Sequence, residues 1–381
     1  MSAVGEPVRS SPFADGLGQK HLVCNRLDGL GARLTNLLWT WRLARKIDAR
    51  LLVVWPNMIR SPFEAQACLD EIFEMSRFGA SPLRDDIQIV TGVCKDYFPT
   101  DVVKIDLEEP FEPERFASVL PARSNARVSV IRHCGPALLT AGETEQAALE
   151  QARLLFARLP FNPKIQAAVE QAVRDLDIER AVAVHVRRGD IVENLRSASA
   201  GLHEESPESL EVVQKYARAY FTHCAPTEAY LGMLEAEPDQ GGNILFFSDS
   251  PEAADPFSSR YGRRLIQAGR LAPPGLTDLQ RDVFEQLLMG RCKTIFGTTS
   301  TFGKLAACVS RAEFVDVRYH ADPGEFVGAY LDLVSACSQS KKIRSWLGAL
   351  VVRRLREMRF TEQVWGLKDE DIWAFARPPA K

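Results

Sequence analysis

Residues 20–55 carry the pattern that most restricts the fold. An apolar run is followed by a glycine turn, a helix-period segment and a second apolar run. "HLVCNRL" reads as a short buried strand and "DGLGAR" as a turn; "LTNLLWTWRLARKI" then sets Leu34, Leu37, Leu38, Trp41 and Ile47 close to helical spacing. "ARLLVVW" reads as a second buried strand, closed by Pro56 and Asn57. A strand, a crossover helix and a further strand form a βαβ unit, and two strands so joined lie parallel in one sheet.

The same alternation returns later in the chain. "VSVIRH" (128–133) looks like another strand, although the stretch from Asn57 to about Phe156 is otherwise less regular. Pro160 and Pro163 then punctuate the chain. A helix-period segment through Ile165, Val169 and Val173 leads into the strand "AVAVHV", and "NILFFSD" (243–249) and "CKTIFGT" (292–298) are further strands beside helix-like segments. A chain of 381 residues exceeds one ordinary core. The expected class is therefore α/β, with two halves in tandem and a boundary near Pro160. Residues 1–19 read as a flexible arm, 20–160 as an N-terminal domain, 161–340 as a C-terminal domain and 341–381 as a basic helical tail.

Composition narrows the function classes. A formal net charge of -3 argues against general nucleic-acid binding, which brings a basic excess. The eight cysteines make no C-x-x-C pair and no zinc spacing. Cys24, Cys292 and Cys308 stand in apolar runs, where a thiol behaves as a small core hydrophobe, so the cysteines are expected to be reduced. The first residues lack the apolar core of a secretory signal, and no stretch approaches the about 20 apolar residues that span a bilayer. The expected location is cytoplasmic. The tail segment "KKIRSWLGALVVRRLREMRF" sets seven basic residues against one acidic. Its helix either packs a Trp346, Leu350 and Leu355 face on the body or brings residues 341–360 to an anionic membrane surface.

Ligands of open parallel sheets bind beyond the carboxyl ends of the strands, so the residues that follow each strand are the candidates. After the first strand come Gly29 and Gly31. They do not complete a dinucleotide fingerprint, because Leu34 stands at the third glycine and "VVWPNM" ends the second strand without a ribose carboxylate. A dehydrogenase is disfavoured on that ground. "HVRRGD" follows the third long apolar run. Arginine presents a planar fork of donors that matches phosphate oxygens and stays charged at any working pH. If the strand continues, His185 and Arg187 share one face and Arg188 takes the other, so one arginine can meet a ligand while its neighbour pairs with a carboxylate such as Asp190. Asp249, in "FFSDS", either contacts a nucleobase edge or sugar hydroxyl or caps a helix. "GTTSTFGKLAA" sets four hydroxyls between a strand and a helix, and free N–H groups at a helix start make an anion site. The D-x-D triplets at 175–177 and 369–371 follow no strand, so arginine and hydroxyls, rather than a metal, are expected to carry phosphate charge.

"DGLGARLTNLLWTWRLARK", "HVRRGD", "FFSDS" and "LLMGRCKTIFGTTSTF" together resemble, in order, the motifs of the fucosyltransferase superfamily that uses GDP-fucose. The likeness spans roughly residues 21–320, is most specific at "HVRRGD", and is greatest to the bacterial nodulation α-1,6-fucosyltransferase group. It implies a GT-B fold, two Rossmann-like parallel-sheet domains facing across a cleft. It further implies an inverting, metal-independent glycosyltransferase moving L-fucose from GDP-fucose to a glycan hydroxyl in an α-1,6- or α-1,2-type linkage. No cofactor and no metal are expected; the partners are a GDP-sugar donor and a glycan acceptor, with no nucleic acid. By the same resemblance Arg187 holds the β-phosphate with Arg188 beside it, and His185 lines the pocket. Gly29 and Gly31 let the donor approach, Asp249 contacts the nucleoside, and Ser300, Thr301 and Phe302 close on phosphate and base. Glu193 or Asp190 takes the acceptor proton. Ala32 stands where many relatives carry Asn or Asp. Two alternatives share these residues: a GT-B enzyme using another nucleotide sugar, and a non-catalytic nucleotide-sugar-binding relative.

Overall fold

The computed structural model describes residues 20–24, 29–46, 48–55, 69–80, 83–90, 103–105, 128–131, 143–200, 207–237, 241–337 and 343–368. The expected arm at 1–19, Ile47, the D-x-D triplet at 369–371 and Cys68, Cys94 and Cys134 lie outside the described residues, as does the side chain of Trp346. The chain forms two compact units: Met1–Glu170 with Pro274–Gln286 and Cys308–Ser310, and Gln171–Pro273 with Leu287–Ala307 and Arg311–Lys381. The sequence boundary near Pro160 thus compares with a division inside a helix, ten residues further on, and the basic tail segment falls within the second unit.

The first unit holds a five-stranded sheet in the order β3-β2-β1-β5-β4. Its strands are β1 (Lys20–Cys24), β2 (Ala49–Val54), β3 (Ile87–Val90), β4 (Val103–Ile105) and β5 (Val128–Ile131), and every neighbouring pair is parallel. Helix α1 (Leu30–Lys46) crosses from β1 to β2, as the opening βαβ pattern predicts. It differs from the amphipathic expectation in one respect: every residue from Leu30 to Ala44 is buried, including Arg33, Asn36 and Arg42. Trp39, two positions from Trp41 and so on a different side of the helix from the apolar stripe, is as inaccessible as Trp41 is. Two single helical turns (Leu69–Ile72, Leu83–Asp86), a short 3-10 helix (Met75–Gly79) and α2 (Glu145–Ala157) are the further elements lying wholly in this unit among the described residues. Thr144 caps α2, its hydroxyl accepting from the Ala147 amide at 3.2 Å.

Helix α3 (Pro163–Asp175) carries Pro at its first position, where a missing N–H is harmless, and leads into the second sheet. That sheet has β6 (Val182–Val186), β7 (Ile244–Ser248), β8 (Leu265–Gln267), β9 (Thr294–Gly297) and β10 (Glu313–Asp316), again all parallel. The order is β10-β9-β6-β7-β8. The chain therefore builds outward from β6 on one side, then returns to lay β9 and β10 on the other. The gap between the carboxyl ends of β6 and β9 is a topological switch point, where the connections leave in opposite directions.

The remaining helices are α4 (Gly189–Ala200), α5 (Pro207–His223), α6 (Thr227–Ala236), α7 (Asp255–Tyr261), α8 (Asp278–Met289), α9 (Thr301–Val309), α10 (Pro323–Cys337) and α11 (Ile343–Glu357). The fully buried faces of β6 and β7 make the sheet side of a core that α5, α6, α10 and α11 close with Phe221, Tyr230, Phe326 and Tyr330. Leu350, Val351, Val352 and Leu355 of α11 belong to this core, so the apolar face of the basic tail helix is spent on packing. Among the described residues no helix is long and apolar enough to cross a membrane. Cys24, Cys224 and Cys292 are buried and Cys308 half-buried, and none of the four is in a disulfide.

Candidate functional site

Strand β6 does not run on through the arginines. It ends at Val186, and Gly189 opens α4, so the alternation of faces projected for Arg187 and Arg188 does not apply. Position 189 has to be glycine for a local reason: a Cβ there would lie 2.7 Å from Cγ and 2.9 Å from the backbone oxygen of Asp249. The Asp249 carboxylate occupies that space because it accepts the amides of Arg188 and Gly189 through Oδ1, each at 2.9 Å. It is the cap of α4, supplied from the end of the neighbouring strand. The capping role weighed for Asp249 is thus present, on α4 rather than on the helix that follows it.

The two arginines divide the work. Arg187 donates from Nη2 to Asp190 Oδ1 at 2.8 Å, and its Nε lies 3.2 Å from Asp249 Oδ2; its side chain stays one-third exposed. Arg188 turns to the scaffold, donating to the Ala225 carbonyl and to Thr227 Oγ1, both at 3.1 Å, and so ties α4 to the start of α6. The arginine whose side chain stays partly exposed is therefore the same one that pairs with Asp190. Glu193 lies one helical turn beyond Asp190 on α4 and is exposed.

His185 closes the strand in a different setting. It is only 5% exposed, stacks on Phe302 with centroids 5.6 Å apart, and Nδ1 has no hydrogen-bond partner among the described residues. Burial, and then the Arg187 charge, lower its pKa to about 3, so the ring is neutral at neutral pH. Gly303 makes room for it, since a Cβ there would stand 3.1 Å from Nδ1. A buried polar nitrogen without a partner costs free energy.

The four hydroxyls after β9 separate by role. Thr298 donates to the His223 carbonyl at 2.6 Å and Thr299 to the Thr222 carbonyl, which satisfies the last turn of α5. Ser300 is buried and opens α9; its hydroxyl accepts weakly from the Phe302 amide at 3.4 Å and its carbonyl accepts the Lys304 amide. Thr301 is the exposed one. The beginnings of α4 and α9 thus follow adjacent parallel strands, and both present helix N-termini at the switch point.

Sequence inspection missed His223. It ends α5 in the 197–238 stretch where no motif is visible, yet its Nδ1 lies 3.5 Å from Thr299 Oγ1. Burial is the first cause that lowers its pKa, to about 4, followed by the charges of Arg187 and Arg318; Lys304 adds to them and Asp190 opposes. Arg318, bidentate to Asp316 at 2.9 and 2.7 Å, was also missed. Only a helix-end signal at His223 was available, and it does not announce a partner. Glu285 on α8 falls in the first unit; burial and then the neighbouring Asp282 raise its pKa to about 7.

Gly29 and Gly31 lie in the first unit. Gly29 is exposed, with open space where a Cβ would project, and its carbonyl accepts the Arg33 amide at 3.1 Å. Gly31 sits within the first turn of α1, where its carbonyl accepts the Thr35 hydroxyl at 2.7 Å. The structure brings together His185, Arg187, Arg188, Asp190, Asp249, Ser300, Thr301 and Phe302 at the carboxyl ends of β6, β7 and β9 in the second unit. Among the described residues no group of three His, Cys, Asp or Glu side chains is arranged to hold a metal ion.

Neither a family model nor a curated protein matches this chain. Among solved structures it is similar to the fucosyltransferase NodZ from Bradyrhizobium, at 15% identity over 77% of this chain and 94% of that one, with a TM-score of 0.47. It is similar to POFUT1 in complex with GDP-fucose, at 13% identity over 77% and 98% of the two chains, with a TM-score of 0.40. An Arabidopsis thaliana FUT1 mutant in complex with GDP is similar at 13% identity over 79% and 70%, with a TM-score of 0.43.

Proposed function

We propose that the protein is a GT-B glycosyltransferase that moves L-fucose from GDP-fucose to a glycan hydroxyl with inversion, and that arginine rather than metal carries the phosphate charge. The observation that carries this reading is the convergence, at the switch point of the second sheet, of Arg187 with the N-termini of α4 and α9. A diphosphate needs donors and positive potential; the two helix starts and the guanidinium are a matching set.

Arg187 reaches this role through its spare edge. Nη1 makes no hydrogen bond among the described residues, while Asp190, more than half exposed, is the carboxylate partner that solvent screens more. An incoming phosphate oxygen takes Nη1 and displaces Asp190 from Nη2. Asp249 stays, because its other oxygen caps α4. The neutral His185 offers Nδ1 and its stacked Phe302 to the same ligand.

The acceptor hydroxyl then attacks the anomeric carbon in line, its proton passes to Asp190 or Glu193, and the C1–O bond to the β-phosphate breaks with GDP leaving. The transition state has oxocarbenium character at C1. Negative charge grows on the departing phosphate, and Arg187 and the α9 N-terminus stabilise it more strongly there than in the bound donor. The deciding experiment titrates GDP, GDP-fucose, GDP-mannose, UDP-sugars and NAD(P) against thermal unfolding, then measures GDP release with glycan acceptors. GDP and GDP-fucose raise the melting temperature and only GDP-fucose turns over; preference for another sugar nucleotide overturns the fucose assignment, and indifference to all of them overturns the nucleotide-sugar reading.

A further inference from the structure

One side chain close to Arg187 has so far been given no part in ligand binding or transfer. His223 ends α5, and the loop after β9 fixes where it stands: Thr298 donates to the His223 carbonyl at 2.6 Å and Thr299 to the Thr222 carbonyl. The same loop runs on into Ser300 and Thr301 at the start of α9. The ring is half-buried. Charged groups from four places in the second unit act on it: Arg187 after β6, Arg318 after β10, Asp190 on α4 and Lys304 on α9. His223 therefore belongs with the groups at the carboxyl ends of β6 and β9.

The hydrogen bonds of Thr299 assign the ring's proton. The Thr299 hydroxyl donates its one hydrogen to the Thr222 carbonyl, so Oγ1 turns only lone pairs toward His223 Nδ1, 3.5 Å away. Nδ1 is then the N–H, because two facing lone pairs repel, and Nε2 carries the free lone pair. Nε2 makes no hydrogen bond among the described residues. Burial first, and then the charges of Arg187, Arg318 and Lys304 against that of Asp190, keep the ring neutral at neutral pH. A histidine in the last turn of a helix ordinarily serves the helix dipole as a cation. A neutral ring cannot do that. What it offers is a hydrogen-bond acceptor beside the arginine, and an ionised phosphate, itself an acceptor, has no hydrogen to give it. A sugar hydroxyl has.

We infer that His223 Nε2 accepts a hydrogen bond from the C2 hydroxyl of the donor's sugar, the ring hydroxyl nearest the diphosphate, a role that rests on the GDP-sugar reading proposed above. Hydrogen bonds to that hydroxyl strengthen as C1 gains oxocarbenium character, so the contact serves transfer as well as binding.

Calorimetry on the full-length chain near neutral pH measures GDP, GDP-fucose and GDP-2-deoxyfucose binding to wild type, His223→Asn and His223→Gln. The side-chain amide of Asn reaches the place of Nδ1, and that of Gln the place of Nε2. Asn therefore keeps the Thr299 contact and loses the acceptor, and Gln does the reverse. GDP is expected to bind all three alike, which also shows that both variants fold. GDP-fucose is expected to lose about two- to tenfold in affinity for His223→Asn, the range of one neutral hydrogen bond, and less for His223→Gln. Wild type is expected to bind GDP-2-deoxyfucose as weakly as His223→Asn binds GDP-fucose, and His223→Asn to bind the deoxy donor no more weakly still, since both changes remove one contact. The role of His223 is overturned if wild type binds the two sugar nucleotides equally, if His223→Asn keeps wild-type affinity for GDP-fucose, if His223→Gln loses more than His223→Asn, if the two losses add, or if GDP binding falls as far as GDP-fucose binding. Wild type that binds neither GDP nor GDP-fucose overturns the GDP-sugar reading itself, and GDP binding by wild type separates the two failures.

Discussion

Asp249 caps the helix that starts at Gly189, although 60 residues separate them: one carboxylate oxygen accepts the Gly189 amide at 2.9 Å while the other faces the Arg187 guanidinium. A single side chain thereby joins the start of α4 to the arginine proposed to hold phosphate. The arrangement requires glycine at 189, because a Cβ would intrude on the carboxylate.

Gly189→Ala is accordingly expected to destabilise the folded protein by about 1–3 kcal/mol, the range for forcing extra volume into a packed site. Asp249→Ala removes a helix cap and is expected to cost about 1–2 kcal/mol. Urea midpoints at unchanged slope check both; a midpoint equal to wild type in Gly189→Ala contradicts the close approach.

Arg187→Ala is expected to raise the barrier to transfer by about 3 kcal/mol or more, by analogy with the loss of a donor to a developing oxyanion. Lysine lacks the planar fork that reaches Asp249, Asp190 and a phosphate together, so Arg187→Lys recovers little of it. Near-normal kcat in the lysine variant removes Arg187 from the role. Turnover persisting in excess chelator is the companion expectation for a guanidinium-held diphosphate, and abolition by chelator would falsify it.

Asp190 competes with the ligand for Nη2 of Arg187. Asp190→Asn is expected to tighten GDP binding by about two- to fivefold, in the range of a partly exposed ion pair. The same variant and Glu193→Gln separate the two candidate bases: the one that takes the acceptor proton loses kcat while GDP affinity holds or improves. Weaker GDP binding in Asp190→Asn would show that Asp190 supports the site instead of screening it.

The pH dependence of stability has two opposed arms. His185 and His223 have pKa values lowered to about 3 and about 4, so the unfolded chain binds protons before the folded one does. Their contribution is complete above the ordinary histidine range and is lost as pH falls from there, at about 1.4 kcal/mol per pH unit for each. Glu285, raised to about 7, has the reverse sign: its contribution is present below the ordinary carboxylate range and is lost as pH rises through about 7. Glu285→Gln is expected to flatten the decline toward neutral pH and leave the acid side unchanged. An identical pH profile in urea unfolding contradicts the burial of that carboxyl.

Much of this fold was legible locally. Apolar runs at 182–186, 244–248 and 294–297 are β6, β7 and β9, and the βαβ pattern at residues 20–55 is a parallel pair joined by α1. Tandem α/β halves follow from that alternation. The location of His185, Arg187, Asp249 and Ser300 at the ends of strands was equally visible, because strand ends are marked by the change from apolar to polar residues. What Arg187 and Arg188 each hold was not visible, nor was the place of His223.

The residue pattern alone determined which segments become strands and helices, since burial periodicity and the residues that start or stop an element act over a few positions. It also determined that chemistry-bearing groups follow β6, β7 and β9. Only the tertiary structure decided the strand order that makes β6 and β9 neighbours, the donation of the α4 cap by Asp249, and the pairing of Arg187 with Asp190 and Asp249 while Arg188 is tied to the scaffold. Those outcomes depend on contacts between positions tens of residues apart, where hydrogen bonds and packing are chosen by the assembled sheet and leave no local trace in the order of amino acids.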